Sequence, residues 1–423
     1  MPTLNLHLEK NLTPQAFSFP TVGKNNMIYV PPYGLKERID YMIKVDPVTF
    51  DVTKIYLEAD ESFEKWQYGT IVDNFIVFLP YNECSILIVN TDNDEITQIK
   101  LPFDSPGKYI ASHRYKNKVI ALPYGEHKEF DFAISFDVYT KELLLKNIVC
   151  PINDQKKWHT SKLINNFIYG VPRGERYIEP YFPYIIKLDC ETFNYELTDM
   201  SHAWKEYDVQ PFPIITNKKY TTMAQVGNKL YAPPYSENDN FDIMLKFDGT
   251  SWSYEKTGMQ DTSRKYFSHA VSKNGKAYFP PAGHEDSWNK MLIIDSNNDT
   301  WKQVPVDGVG YESKKYFTGW ENTQGKIYWI PRGGCVCEPE ENWKQQGDLA
   351  DILVVDTTND SFYTIDISEY FKDNTTIEKF NSSVIIDDKI FAFPYGQSET
   401  FHTVLVFDTI SETVIKEINL NEV

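Results

Sequence analysis

Cysteine is scarce in this chain. There are five in 423 residues, an odd number without regular spacing, which excludes a disulfide framework. The one close pair, Cys335-Val336-Cys337, has no partners at ligand spacing elsewhere, so no metal site is expected. Long apolar runs are missing too: no stretch approaches the roughly 18 residues a membrane helix needs. Positive charge is in deficit, with 42 Lys and Arg against 60 Asp and Glu, a net charge of -18 and a pI near 4.9. Such a field disfavours nucleic acid and anionic membranes as partners. HExxH, paired CxxC and glycine-rich phosphate loops are all absent, so no cofactor is expected. The opening "MPTLNLHLEKNLTPQ" shows no basic region followed by an apolar run. The expected compartment is the cytoplasm, with a virion as the alternative.

Aromatic residues are plentiful. Hydrophobic residues make up 41% and aromatics 15%, with 28 Tyr and 26 Phe, a composition suited to strands around a sizeable core. They recur in a pattern. "MIYVPPYG" has seven relatives: "FIVFLPYN", "KVIALPYG", "NFIYGVPRG", "KLYAPPYS", "KAYFPPAG", "KIYWIPRG" and "KIFAFPYG". The aligned prolines are Pro32, Pro80, Pro123, Pro172, Pro234, Pro281, Pro331 and Pro394. A proline lacks the N–H that would continue a ladder, so each one ends a strand at the rim.

Two further landmarks repeat. Fifteen or sixteen residues before the proline stands Lys followed by an aromatic, as in Lys65-Trp66, Lys108-Tyr109, Lys157-Trp158, Lys219-Tyr220, Lys265-Tyr266, Lys315-Tyr316 and Lys379-Phe380. The first copy offers Ala16-Phe17 instead. After the proline comes an apolar strand ending in Asp or Asn, such as Asp46, Asn90, Asp189 or Asp295, whose side chain caps the following turn. A fourth strand then opens on an apolar residue four positions later (Phe50, Phe193, Trp252) or six (Ile96, Leu143, Trp301, Phe362, Val414).

Each repeat therefore reads as four short strands, a to d, with a period near 48 residues. One such sheet cannot bury both faces alone, whereas a ring of eight can. The expected fold is all-β: a single eight-bladed β-propeller of four-stranded antiparallel blades spanning 1–423. The blades fall at 14–58, 64–100, 107–147, 156–198, 218–256, 264–305, 314–367 and 378–420, with residues 1–13 available as a closing strand.

The repeats resemble the kelch family of propeller repeats. "IIDSNNDTW" (293–301) and "VVDTTNDSF" (354–362) match that family's c–d turns, and a basic residue opens strand a in both. The glycine doublet that ends strand b in kelch repeats is replaced here by Pro-Tyr-Gly or Pro-Arg-Gly. The resemblance implies a propeller with a binding role and specifies no chemistry.

Because strands alternate direction, the short a–b loops and c–d turns share one rim. The long b–c loops and d–a linkers share the other, which is the candidate working face. Two repeats stand out there: "RGERYIEPYFPY" follows Pro172 and "RGGCVCEPEENWKQQGDLAD" follows Pro331. In both, Arg (Arg173, Arg332) replaces the Tyr found in most other copies, and the longest d–a linkers follow. Arg173, Arg332, Trp204, Trp343, Lys157, Lys315 and Tyr177 are the expected ligand or partner contacts. No catalytic residue is expected. The lysine column reads either as a basic collar for an anionic ligand or as a structural device holding neighbouring blades. His113, His159 and His269 fall near the a strands without any need to converge, and His284 lies beside Glu285 and Asp286.

Three functions fit. The first is a non-catalytic scaffold recognising a protein or glycan partner through its long-loop face. The second is a glycan hydrolase or lyase at the channel mouth, using paired carboxylates such as Glu175, Glu179, Glu285 or Asp286. The third is a structural component of a virion or other large assembly.

Overall fold

The computed structural model describes residues 17–33, 39–58, 65–126, 130–174, 182–205, 219–235, 241–259, 267–282, 289–306, 316–332, 350–371, 380–394 and 402–422. The expected closing strand, 1–13, lies outside them. Within them the chain forms eight antiparallel sheets of four strands, each in chain order. The first runs from Thr21–Val22 through Ile28–Val30 and Tyr41–Val45 to Val52–Tyr56. The eighth runs from Phe380–Ile386 through Lys389–Pro394 and Thr403–Asp408 to Thr413–Asn419. Strands b and c are buried almost throughout and read as near-continuous apolar runs, while the outer d strands are mixed.

Eight apolar clusters lie between successive sheets, the last joining sheet eight to sheet one. That closes a ring: the fold is an eight-bladed β-propeller. At the seam, Phe17, Ile28 and Ile43 of blade 1 pack on Val384, Phe391 and Val404 of blade 8. Seven of the clusters contain an aromatic of the repeated strand-a column, counting Phe17 of the first copy. Trp66 fills the gap between blades 1 and 2, Trp158 between 3 and 4, and Phe17 the closing gap. In blade 6 the expected aromatic, Tyr266, lies outside the described residues; Phe267 packs in the cluster and bridges to Pro281, as Phe17 bridges to Pro32. Phe267 stands 14 residues before its proline, the same interval that separates Trp66 from Pro80.

The c–d turns behave as the Asp column predicts. Asp46 Oδ1 accepts from the N–H of Val48 and Thr49, and Asp189 Oδ1 from Glu191 and Thr192. One expectation is corrected. Phe50 and Phe193 do not open strand d; they occupy the left-handed position of the turn, with φ of 65° and 57°. The residue six after the Asp pairs across instead, as Val52 does with Val45 and Tyr195 with Leu188. Only blade 5 has the shorter turn, where Trp252 pairs with Phe247. Two bulky phenylalanines at φ > 0 are costly on their own. Phe193 is buried, and Phe50 lies 6.2 Å from Phe391 of blade 8, so packing holds them there.

At other seams the same turn position carries an acid that clasps the preceding blade. Tyr29 donates to Asp94 (2.6 Å), Tyr231 to Asp299 (2.7 Å), Tyr278 to Asp360 (2.8 Å) and Tyr328 to Glu412 (3.0 Å). Each acid also pairs with a Lys of the preceding blade: Lys44, Lys229, Lys276 and Lys326. The short turn of blade 5 supplies no acid. Tyr169 there packs on Phe247 and Trp252, beside a cavity of about 340 Å³ on the outer flank of blades 4 and 5.

Candidate binding site at the channel mouth

The lysine column is placed first, because it separates structural from exposed charge. Lys65, Lys108 and Lys157 are fully buried and Lys219 is 6% exposed. Lys108 Nζ donates to the carbonyls of Asn82 (3.2 Å) and Glu83 (3.0 Å), in the preceding blade's b–c turn. Lys157 Nζ lies 2.7 Å from Asp131 Oδ1 and donates to the Phe130 carbonyl at 3.3 Å. Lys157, named above as a contact residue, thus has its ammonium enclosed between blades 3 and 4. Lys265, Lys315 and Lys379 lie outside the described residues. So do Trp343, Tyr177, Glu175, Glu179, His284, Glu285, Asp286, Cys335, Cys337 and the side chain of Trp204.

Arg173 and Arg332 are nearly buried, at 9% and 8% exposure. Each leans on an aromatic ring. Arg173 donates from Nη1 to the Tyr124 hydroxyl at 2.6 Å, its guanidinium 6.0 Å from that ring. The Arg332 guanidinium lies 4.9 Å from the centre of Phe317. Each also acts electrostatically on a histidine: Arg173 on His159, Arg332 on His269. The two residues that break the tyrosine column therefore approach one shared region.

That region is the central channel, crossed by aromatic side chains from the innermost segments of several blades. Phe19 stacks on Tyr68 at 3.7 Å and approaches Phe317 at 5.7 Å. His269 lies 4.6 Å from Phe317 and 6.2 Å from Tyr68. Tyr68 belongs to blade 2 and His269 to blade 6, opposite positions in a ring of eight, so the contact crosses the axis. On another side Tyr124 meets His159 edge-on at 5.6 Å.

The histidines are held neutral. Burial pushes His113 down to about 3 and His269 down to about 4, with Lys162 adding to both. Burial and then Arg173 hold His159 well below the usual imidazole range. His113 Nε2 is 2.7 Å from Ser161 Oγ, and His159 Nδ1 is 2.9 Å from the Thr221 carbonyl, where it must be the donor. The channel thus offers positive charge from Arg173, Arg332 and Lys162, the last drawn below the usual lysine range by burial, with imidazoles and aromatic faces between.

His269 acts electrostatically on His159, and Lys162 on both His113 and His269, a convergence the sequence did not predict. Lys162, Tyr68, Phe19 and Phe317 were missed because they belong to no repeated column. Among the described residues, no group of three or more His, Cys, Asp or Glu is arranged to hold a metal, and no helix is long and apolar enough to cross a membrane.

No protein-family model and no curated protein sequence matches the chain. Solved structures do match in fold. Apo AztD from Citrobacter koseri superposes with a TM-score of 0.53 at 10% identity, over 90% of this chain and 92% of that one. A Bacteroides uniformis protein provisionally assigned as a 6-phosphogluconolactonase gives 0.50 at 12% identity, over 80% of this chain and 92% of its own. At such identities the likeness is one of fold: these structural neighbours are β-propellers, as this chain is.

Proposed function

We propose that the protein is a non-catalytic binding propeller that holds a protein or glycan partner on its long-loop face, over the channel mouth. The observation that carries this reading is the placement of Arg173 and Arg332. They come from the two repeats with the longest b–c loops, and both lie against aromatic rings beside the channel histidines. Arginine stacked on aromatics is the composition of contact surfaces. The kelch-like pattern of the repeats supports the same role. Trp204, Trp343, Tyr177 and Lys315 join the proposal through their places in the loops and linkers of that face. Lys157 is left out of it, its ammonium being paired with Asp131.

The test is a glycan array that includes sulfated and sialylated members, with affinity capture followed by rebinding of the purified partner. Wild-type protein is compared with the double variant Arg173→Gln/Arg332→Gln, and with Arg→Lys at both sites. Binding lost in the Gln variant at a melting temperature near wild type supports the reading. Undiminished binding discards it.

A further inference from the structure

Lys162 lies on the innermost strand of blade 4 (Ser161–Ile164) and is partly exposed to the channel. Its Nζ makes no hydrogen bond and no ion pair among the described residues. Other lysines near the axis are matched: Lys273 pairs with Glu321, and Lys108 and Lys157 are held by carbonyls and Asp131. Burial lowers the Lys162 ammonium from the usual lysine range, and the charged groups that act on its histidine neighbours are cations. Lys162 acts on His113 and His269, and Arg332 acts on His269 as well. Arg173 and Lys156 act on His159 instead, and Lys156 is itself paired with Glu126 at 3.5 Å. No carboxylate acts on His113 or His269.

An unpaired ammonium enclosed by protein is costly, and such charges are ordinarily paired or hydrogen-bonded. Here the cost stands inside the channel of a chain whose net charge is -18. Low-dielectric walls concentrate that local field on whatever enters. Lysine binds oxyanions as a point charge, and imidazole and guanidinium N–H groups add directed donors.

We propose that the central channel holds a small oxyanion, a carboxylate or a phosphate, on the ammonium of Lys162, with His113, His269 and Arg332 around it. This deepens the reading above by naming a ligand chemistry, and it rests on that reading only for the face of entry. The aromatic bar of Phe19, Tyr68 and Phe317 gives the rest of such a ligand a flat surface to lie against.

Calorimetric titration of the full chain with inorganic phosphate and, separately, with citrate tests the site, with thermal melting in parallel. One or both anions bind and raise the melting temperature, and a response to only one fixes which chemistry the channel takes. Lys162→Met weakens binding at least about tenfold, while Lys162→Arg retains most of it. In the absence of ligand, Lys162→Met melts at or above wild type, because an apolar chain of similar shape removes an unmatched charge. Failure of both anions to bind overturns the proposal, as does wild-type affinity in Lys162→Met. Ligand-free Lys162→Met melting well below wild type also overturns it, by making Lys162 structural. Arg173→Gln separates the two readings, since Arg173 acts on His159 rather than on Lys162. The oxyanion heat persists in that variant, whatever becomes of glycan or protein capture.

Discussion

The backbone N–H of Lys157 donates to the carbonyl of Tyr124, one blade earlier, at 3.1 Å, and the Lys157 carbonyl accepts from Arg173 of its own blade at 2.8 Å. The pattern repeats. Lys65 N–H reaches Tyr33, Tyr81 N–H reaches Lys65, Lys108 N–H reaches Tyr81, and Tyr124 N–H reaches Lys108. Beyond Arg173 the relay continues through Lys219 to Tyr235. Blades 1 to 5 are thus stitched at the loop-face rim by one chain of main-chain bonds. The proline places the next residue's N–H on the Lys carbonyl, and the Lys side chain then caps the neighbour's loop.

Removing that cap has a defined cost. Lys157→Met deletes the partner of Asp131 and of the Phe130 carbonyl inside a seam. Leaving such groups unmatched costs on the order of 1–3 kcal/mol. Urea denaturation should show a lower midpoint with an unchanged slope. Oxyanion binding should stay as in wild type, because this ammonium is enclosed between blades. A midpoint equal to wild type would mean that the ion pair contributes nothing net.

The opposite rim predicts a dependence on pH. The Tyr231 hydroxyl, and then Lys229, hold the Asp299 carboxyl below the usual carboxylate range. A depressed carboxyl stabilises the fold above its unfolded value near 3.9, and the gain is lost as pH falls through the folded value. The channel histidines act earlier. They stay neutral when folded, whereas an unfolded histidine takes up a proton near 6.5. Melting temperature should therefore fall in two stages on acidification, first below about pH 6.5 and again below about pH 4. His269→Gln should shrink the first stage and Asp299→Asn the second; a flat profile from pH 7 to 5 would contradict the buried, neutral state of the imidazoles.

The fold was legible because its seams repeat. Every gap between blades needs one large aromatic and one strand end, so the Lys-aromatic and proline columns recur at a spacing a reader can align. The turns were less legible than the seams. Phe50 looked like the opening of a strand because an apolar residue at φ > 0 is not read from sequence. The candidate site was half legible. Arg173 and Arg332 interrupt a column and so announce themselves. Lys162 interrupts nothing, and its neighbours arrive from blades 3, 6 and 7, so only ring closure reveals them.

Close packing at a seam supplies a final prediction. Gly170 ends strand b of blade 4 (Phe167–Gly170), and a Cβ there would lie 2.6 Å from Leu122 Cδ1, 3.0 Å from Ile186 Cγ2 and 3.1 Å from Trp158 Cδ1. The indole is pinned by its Nε1 bond to the Tyr184 carbonyl at 2.9 Å, so relief must come from Leu122. Gly170→Ala should cost about 1–3 kcal/mol as overpacking, and Trp158→Ala about 3–5 kcal/mol as a cavity. Trimming the clashing methyl should change the sign of the coupling: Gly170→Ala/Leu122→Val should be more stable than the sum of its single variants predicts. Strict additivity in urea midpoints would place the strain elsewhere than at Leu122.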